Sequence, residues 1–205
     1  PEPIDIDTLN FRNDTYYPVN SDEPYSGPVF LLYENGKLQE EVTLKDGIPD
    51  GPFKTYYDNG QLRKEGTWKD GKQDGLFKTY HENGKLQEEV TLKDGILDGP
   101  YKTYYENRQI QEEGTYKDGI LDGLTKVYYE NGLLKGEGIY KDGKKDGLHK
   151  SYHSTNGQLW VEGTWKNGKQ DGPVKTYYDN GQLRKEGTYK DGKEDGPVKT
   201  YYDNG

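Results

Sequence analysis

Gly51–Asp74 reads GPFKTYYDNGQLRKEGTWKDGKQD, and close copies of it return every 24 residues along a chain of 205. The frame runs through Gly27, Gly51, Gly75, Gly99, Gly123, Gly147, Gly172 and Gly196, and the single 25-residue step comes from an extra residue near Ser154-Thr155. Seven units are complete and an eighth stops at Gly205. Units this short cannot bury a core alone, so each must be stabilised by its neighbours. The chain is therefore an array, and its fold is decided inside one unit.

Phe53–Tyr57 and Leu62–Trp68 are rich in Tyr, Thr, Trp and Phe and are bounded by turn residues, which predicts a β-hairpin and a connection to the next one. Asn59-Gly60 between them predicts a type I′ turn, in which both central residues take positive φ. The same pair stands at Asn35-Gly36, Asn83-Gly84, Asn131-Gly132, Asn156-Gly157, Asn180-Gly181 and Asn204-Gly205. Asp70-Gly71, after the second run, has the same preference. Arg108 takes the place of Gly after Asn107; keeping the turn there costs roughly 1 kcal/mol for an L-residue at positive φ.

A two-residue turn sets a register that pairs Tyr57 with Leu62, Lys54 with Glu65 and Phe53 with Gly66. Phe53, Thr55, Tyr57, Leu62, Gly66 and Trp68 then share the more apolar face, with Gly66 leaving room for neighbouring rings. Lys54, Tyr56, Arg63, Glu65 and Thr67 share the other. Lys54 and Glu65 would form an exposed cross-strand ion pair worth about 0.2–1 kcal/mol, repeated in every unit.

Hydrophobic residues make up 29% of the chain, charged residues 32%, and the mean hydropathy is −1.23. Such values border on those of disordered chains. The 20 tyrosines argue for order, because their amphipathic rings pack while leaving a hydroxyl in water, as a thin sheet without a deep core requires. A net charge of −9 disfavours nucleic acid and anionic lipid surfaces. There is no cysteine for disulfides or zinc–thiolate sites, no apolar run of transmembrane length and no signal peptide. The absence of Met points to a processed or truncated product, which fits a secreted or envelope protein that has lost its signal.

Pro1–Ser26 precedes the first unit, is acidic and is interrupted by Pro1, Pro3, Pro18 and Pro24. Pro1–Leu9 reads as a tether, and Asn10–Pro18, with Phe11, Tyr16 and Tyr17, as a strand covering the first edge of the array. The expected division is thus 1–26, tether and cap, and 27–205, repeat array. The turn motif at the end leaves an edge that calls for further residues or a partner.

The succession Gly, Lys-Thr-Tyr-Tyr, Asn-Gly, Leu, Glu-Gly, an aromatic and Lys-Asp-Gly resembles the MORN repeat, in the variant found in bacterial proteins of the YwqK antitoxin family. The likeness covers roughly Gly27–Gly205. Departures are Arg108 for Gly, Val42 and Val90 for the second-strand Gly, and the insertion near Ser154. The resemblance implies an all-β fold, an elongated and twisted single sheet of antiparallel hairpins. It also implies a scaffold or binding surface, antitoxin activity belonging to some members.

No catalytic constellation stands out. His81 and His153 occupy the second-tyrosine position, His149 takes the place of Phe53, and no partner recurs at metal-ligand spacing. Glu41, Glu65, Glu89, Glu113, Glu137, Glu162 and Glu186 recur once per unit, which suits a structural role or a shared surface rather than one active site. The acidic turns, Asp46 with Asp50, Asp70 with Asp74 and their copies, offer at most a weak Ca²⁺ site beside ordinary turn chemistry.

The candidate binding surface is the ladder Tyr56, Tyr80, Tyr104, Tyr128, Tyr152, Tyr177 and Tyr201, flanked by Lys54, Lys78, Lys102, Lys126, Lys150, Lys175 and Lys199. Its rungs, two strands apart, would be spaced by roughly 9.6 Å. Cross-strand stabilisation accounts for part of it, and an aromatic platform for a protein segment or a carbohydrate for the rest. The expected function is a non-enzymatic scaffold that binds another protein through its aromatic sheet face or open edge, in a bacterial envelope or extracellular setting. The alternatives are a cytoplasmic antitoxin that neutralises a toxin by direct binding, and a carbohydrate-binding module.

Overall fold

The computed structural model describes residues 2–203, so the Asn204-Gly205 turn lies outside the described residues. The chain divides into two compact units, Pro1–Asp98 and Gly99–Gly205. Among the described residues there is no α-helix, only a short 3-10 turn at Ile6–Thr8. The first unit opens with β1 (Ile4–Asp5), β2 (Leu9–Arg12) and β3 (Thr15–Pro18), and continues with β4 (Gly27–Leu32), β5 (Leu38–Lys45), β6 (Ile48–Tyr56), β7 (Leu62–Lys69), β8 (Lys72–Gln73), β9 (Gly75–Tyr80) and β10 (Leu86–Lys93). From β4 onward these strands pair antiparallel in chain order.

In the second unit, β11 (Ile96–Tyr104) begins just before the division and is followed by β12 (Ile110–Lys117), β13 (Ile120–Leu121), β14 (Gly123–Tyr128), β15 (Leu134–Lys141) and β16 (Lys144–Tyr152). Then come β17 (Leu159–Lys166), β18 (Lys169–Tyr177), β19 (Leu183–Lys190), β20 (Lys193–Glu194) and β21 (Lys199–Thr200). Pairing is again antiparallel and sequential, and the sheet is open.

Both turns of the repeat are present, but only one has the expected geometry. At Asp70-Gly71 the φ values are 48° and 75°, both left-handed, as a type I′ turn requires. The other turn differs. Asn59 keeps a negative φ, and only Gly60 is left-handed, at 86°.

The Gly60 N–H donates to the Tyr57 carbonyl, and the Tyr57 N–H to the Gln61 carbonyl, both at 2.8 Å. The loop is therefore the three residues Asp58-Asn59-Gly60, a type I turn closed by a glycine. Tyr56, not Tyr57, faces Leu62, and a one-residue bulge at Arg63 restores the expected Lys54–Glu65 and Phe53–Gly66 pairs. Leu62 consequently joins the Tyr56 face rather than the Phe53 face. Arg108 holds its turn at φ 73° and donates its N–H to the Tyr105 carbonyl at 2.8 Å, bearing the strain that glycine avoids.

The strand added to the first edge is Ile4–Asp5, which pairs parallel with β4, so the expected tether contains the edge strand. Asn10–Pro18 contributes instead to a separate hairpin, β2–β3. This hairpin covers the β5–β6 turn: Tyr16 N–H donates to the Gly47 carbonyl at 2.9 Å, and a side chain on Gly47 would strike Thr15 and the Tyr16 backbone. Ile4, Ile6, Leu9, Tyr16 and Tyr25 pack on a core of Val29, Val42, Leu44 and Phe53. The core is deepest here because a second layer exists here. In the second unit the equivalent face is filled by rings, Tyr101 on Tyr116 at 4.7 Å and His149 between Tyr140 and Trp165 at 5.3 and 6.1 Å.

Candidate functional site: the ladder face

Strand alternation puts the lysine, glutamate and first tyrosine of every unit on the face opposite the core. Here the tyrosine hydroxyls are committed. Tyr56 donates to Glu41 and Tyr80 to Glu65 in the first unit, each at 2.6 Å. In the second, Tyr128 donates to Glu113, Tyr152 to Glu137, Tyr177 to Glu162 and Tyr201 to Glu186, at 2.7–2.9 Å. Each bond joins one hairpin to the preceding one. Tyr104 occupies the same place on β11.

Lysines complete the lattice. Lys54 pairs in register with Glu41 and Glu65, and Lys126 with Glu113 and Glu137. Lys78–Glu89 and Lys102–Glu113 close as ion pairs at 3.2 and 3.7 Å, and Lys199–Glu186 at 3.5 Å. Lys150 and Lys175 hold the same register against Glu162. The ladder residues thus come together as expected, and their polar atoms largely satisfy one another.

Burial first, then the glutamate hydrogen bond and its negative charge, push the Tyr56, Tyr128, Tyr152 and Tyr177 hydroxyls up to about 12, and Tyr80 is raised too. The folded pKa thus exceeds the unfolded value near 10. The stabilisation is fully present below about pH 10 and is lost as pH rises through about 12. We expect tyrosinate absorbance to show a late group ionising near pH 12, with the melting temperature falling over the same interval. Glu162→Gln should move one tyrosine out of that group. A single transition near pH 10, unchanged in the variant, would refute the lattice.

A second row was not legible in the sequence. Tyr33, Tyr57, Tyr105, Tyr129 and Tyr178 donate their hydroxyls to the backbone carbonyls of Tyr56, Tyr80, Tyr128, Tyr152 and Tyr201, at 2.6–2.9 Å. The turn asparagines do likewise: Asn59 accepts from the Gln61 N–H and donates to the Glu82 carbonyl one repeat on. The 23-residue offset common to these contacts was the available signal.

The acidic turns also have backbone partners. Asp50 accepts from the Asp70 N–H at 3.1 Å and Asp122 from the Asp142 N–H at 3.2 Å. Among the described residues no cluster of three or more metal-ligating side chains is formed.

Apolar side chains are also exposed on the ladder face. Pro52 and Leu76 in the first unit, and Pro100, Leu124, Leu148, Pro173 and Pro197 in the second, hold one position of the repeat and are exposed. Ile139 replaces the usual threonine directly opposite Leu124. Leu124, Ile139 and Leu148 are 50%, 46% and 45% exposed. Shallow recesses separate the rows, one of about 230 Å³ bordered by Pro100, Lys102, Glu113, Thr115, Leu124 and Lys126, and one of about 190 Å³ between Pro52 and Lys78.

Comparison with known families agrees with this architecture. A model of the MORN repeat variant matches residues 25–46, 49–70, 73–94, 97–118, 121–142, 145–167 and 170–191, and a model of the MORN repeat itself matches 65–76. No curated protein gives a significant match. Seven consecutive matches, in the register that places tyrosine on glutamate from hairpin to hairpin, make the chain a member of the MORN repeat family in its variant form.

Proposed function

We propose that the chain is a non-enzymatic repeat scaffold whose ladder face docks a partner protein, with Leu124, Ile139 and Leu148 at the centre of the contact. The supporting observation is the exposure of these three side chains beside a polar lattice whose hydrogen bonds are already made. A partner covering this face removes apolar surface from water without stripping an unsatisfied hydroxyl, and the rigid lattice loses little freedom on binding. The recurring glutamates serve the tyrosines, which supports a surface rather than a single reaction centre.

Affinity capture on the immobilised chain and on the variant Leu124→Asp/Leu148→Asp tests the reading. Both positions face solvent, so the variant keeps its fold. A protein retained by the first and lost from the second, with affinity reduced by about 3 kcal/mol or over a hundred-fold, is the expected result. Identification of that protein as a toxin would narrow the function to the antitoxin class. Identical retention by both, or retention of nothing, would reject the docking face.

A further inference from the structure

One hairpin departs from the others in several ways at once, and the departures meet in space. In Gly147–Asp171, Ser154 and Thr155 stand where other units have a single residue, and His153 takes the second-tyrosine position, as His81 does in its own unit. Trp160 takes the bulge position held by Gln39, Arg63, Gln87, Gln111, Lys135 and Arg184 elsewhere. At that position Arg63, Lys135 and Arg184 lie over the rings of Tyr57, Tyr129 and Tyr178. Trp160 instead approaches the His153 ring at 6.0 Å while remaining 49% exposed.

His153 is turned toward the next repeat, its Nε2 3.2 Å from an Asp179 carboxylate oxygen, and the Asp179 side chain is 84% exposed. Asn156 fixes the longer loop by accepting from the Gln158 N–H and donating to the Asp179 carbonyl. Ser154 and Thr155 are exposed beside it. The other two tryptophans, Trp68 and Trp165, lie instead on the core face, against Phe53 and His149.

We propose that Trp160, with His153, Asp179 and the Ser154–Asn156 loop, forms a binding site for a neutral oligosaccharide. A pyranose presents a flat C–H face and a rim of hydroxyls. The indole offers a flat apolar surface to the first, and the carboxylate and loop hydroxyls offer hydrogen bonds to the second. The ring is open and its surroundings, Ser154, Thr155, Asn156 and Asp179, are polar, which suits a hydroxyl-rimmed sugar face. The Asp179 carboxylate and the net charge of −9 turn away acidic sugars. The site is independent of the ladder face and stands whether or not that face docks a protein.

The test uses the full chain with three soluble probes, hexaoses of glucose, of N-acetylglucosamine and of galacturonic acid. The Trp160 indole N–H resonance and tryptophan fluorescence report binding. At least one neutral hexaose should shift the Trp160 signal at about millimolar concentration, and the acidic one should not. Trp160→Arg, which installs the residue carried at this position by two other hairpins, keeps the fold and should weaken binding about ten-fold or more, while Trp160→Tyr retains part of it. The proposal fails if no neutral hexaose perturbs Trp160 or if the arginine variant binds equally well. It also fails if a protein partner protects Trp160 and neutral sugars do not compete.

Discussion

Phe53→Ala is expected to lower stability by about 3–5 kcal/mol, the range for removing a buried aromatic ring. Phe53 is 5% exposed and stands at the centre of the first unit's core, with Trp68 at 5.6 Å, Phe77 at 6.0 Å, and Val42 and Gly66 directly opposite on the flanking strands. The ring cannot be replaced by relaxation of its neighbours, because Val29, Val42 and Leu44 are themselves held beneath the N-terminal segment. Urea unfolding followed by far-UV circular dichroism measures the loss. Leu76→Ala, at a position 51% exposed on the other face, should change stability by no more than about 0.5 kcal/mol. Equal effects of the two substitutions would mean that the sheet has no privileged core face.

That contrast between faces was legible in the unit sequence, since it follows from alternation alone. Phe53, Gly66 and Trp68 lie together, as do Lys54, Tyr56 and Glu65. The bulge was not legible. Asn59-Gly60 satisfies a two-residue turn with two left-handed residues and equally a three-residue turn with one, and Asp58 ahead of it fits the latter. Only the second pairs Tyr57 with Gln61 through the backbone, moves Leu62 to the ladder face and leaves Arg63 as a bulge without a facing partner in the register.

The cap was obscured for a different reason. Ile4–Asp5 is too short for any periodicity, and it becomes a strand through the edge that β4 offers. The ladder itself could be read by register, but not how its hydroxyls are used. Tyr56 reaches Glu41 of the hairpin before it, a contact set by sheet geometry over 15 residues of chain.

Gly138→Val should destabilise the second unit by about 3 kcal/mol, near the upper end of ordinary overpacking, and His149→Val should restore most of that loss. Gly138 faces His149 on the core side, and a Cβ built there would fall on the imidazole ring. The ring cannot easily move away, because its Nε2 lies 2.8 Å from the Ile139 carbonyl and the rings of Tyr140 and Trp165 flank it. Burial also holds the imidazole below its ordinary pKa, so the neutral form donates from Nε2.

The first hairpin carries a valine at this position, so the demand for glycine at Gly138 depends on how the facing ring is held. Val42 stands in place of the glycine and is 8% exposed, between Val29 on β4 and the Phe53 ring on β6. Rings crowd some of the glycines: a Cβ on Gly66 would come within 3.0 Å of Phe53 and 3.1 Å of Phe77, and one on Gly114 within 2.8 Å of Tyr101, whereas Gly163 and Gly187 meet Val174 and Val198, and Val90 stands opposite Phe77. Thermal melts of the two single variants and the double variant measure the coupling. A rescue of at least about 1.5 kcal/mol in the double variant establishes that glycine is there to admit the facing ring. Strictly additive losses would instead place the requirement in the backbone of β15, leaving His149 without a part in it.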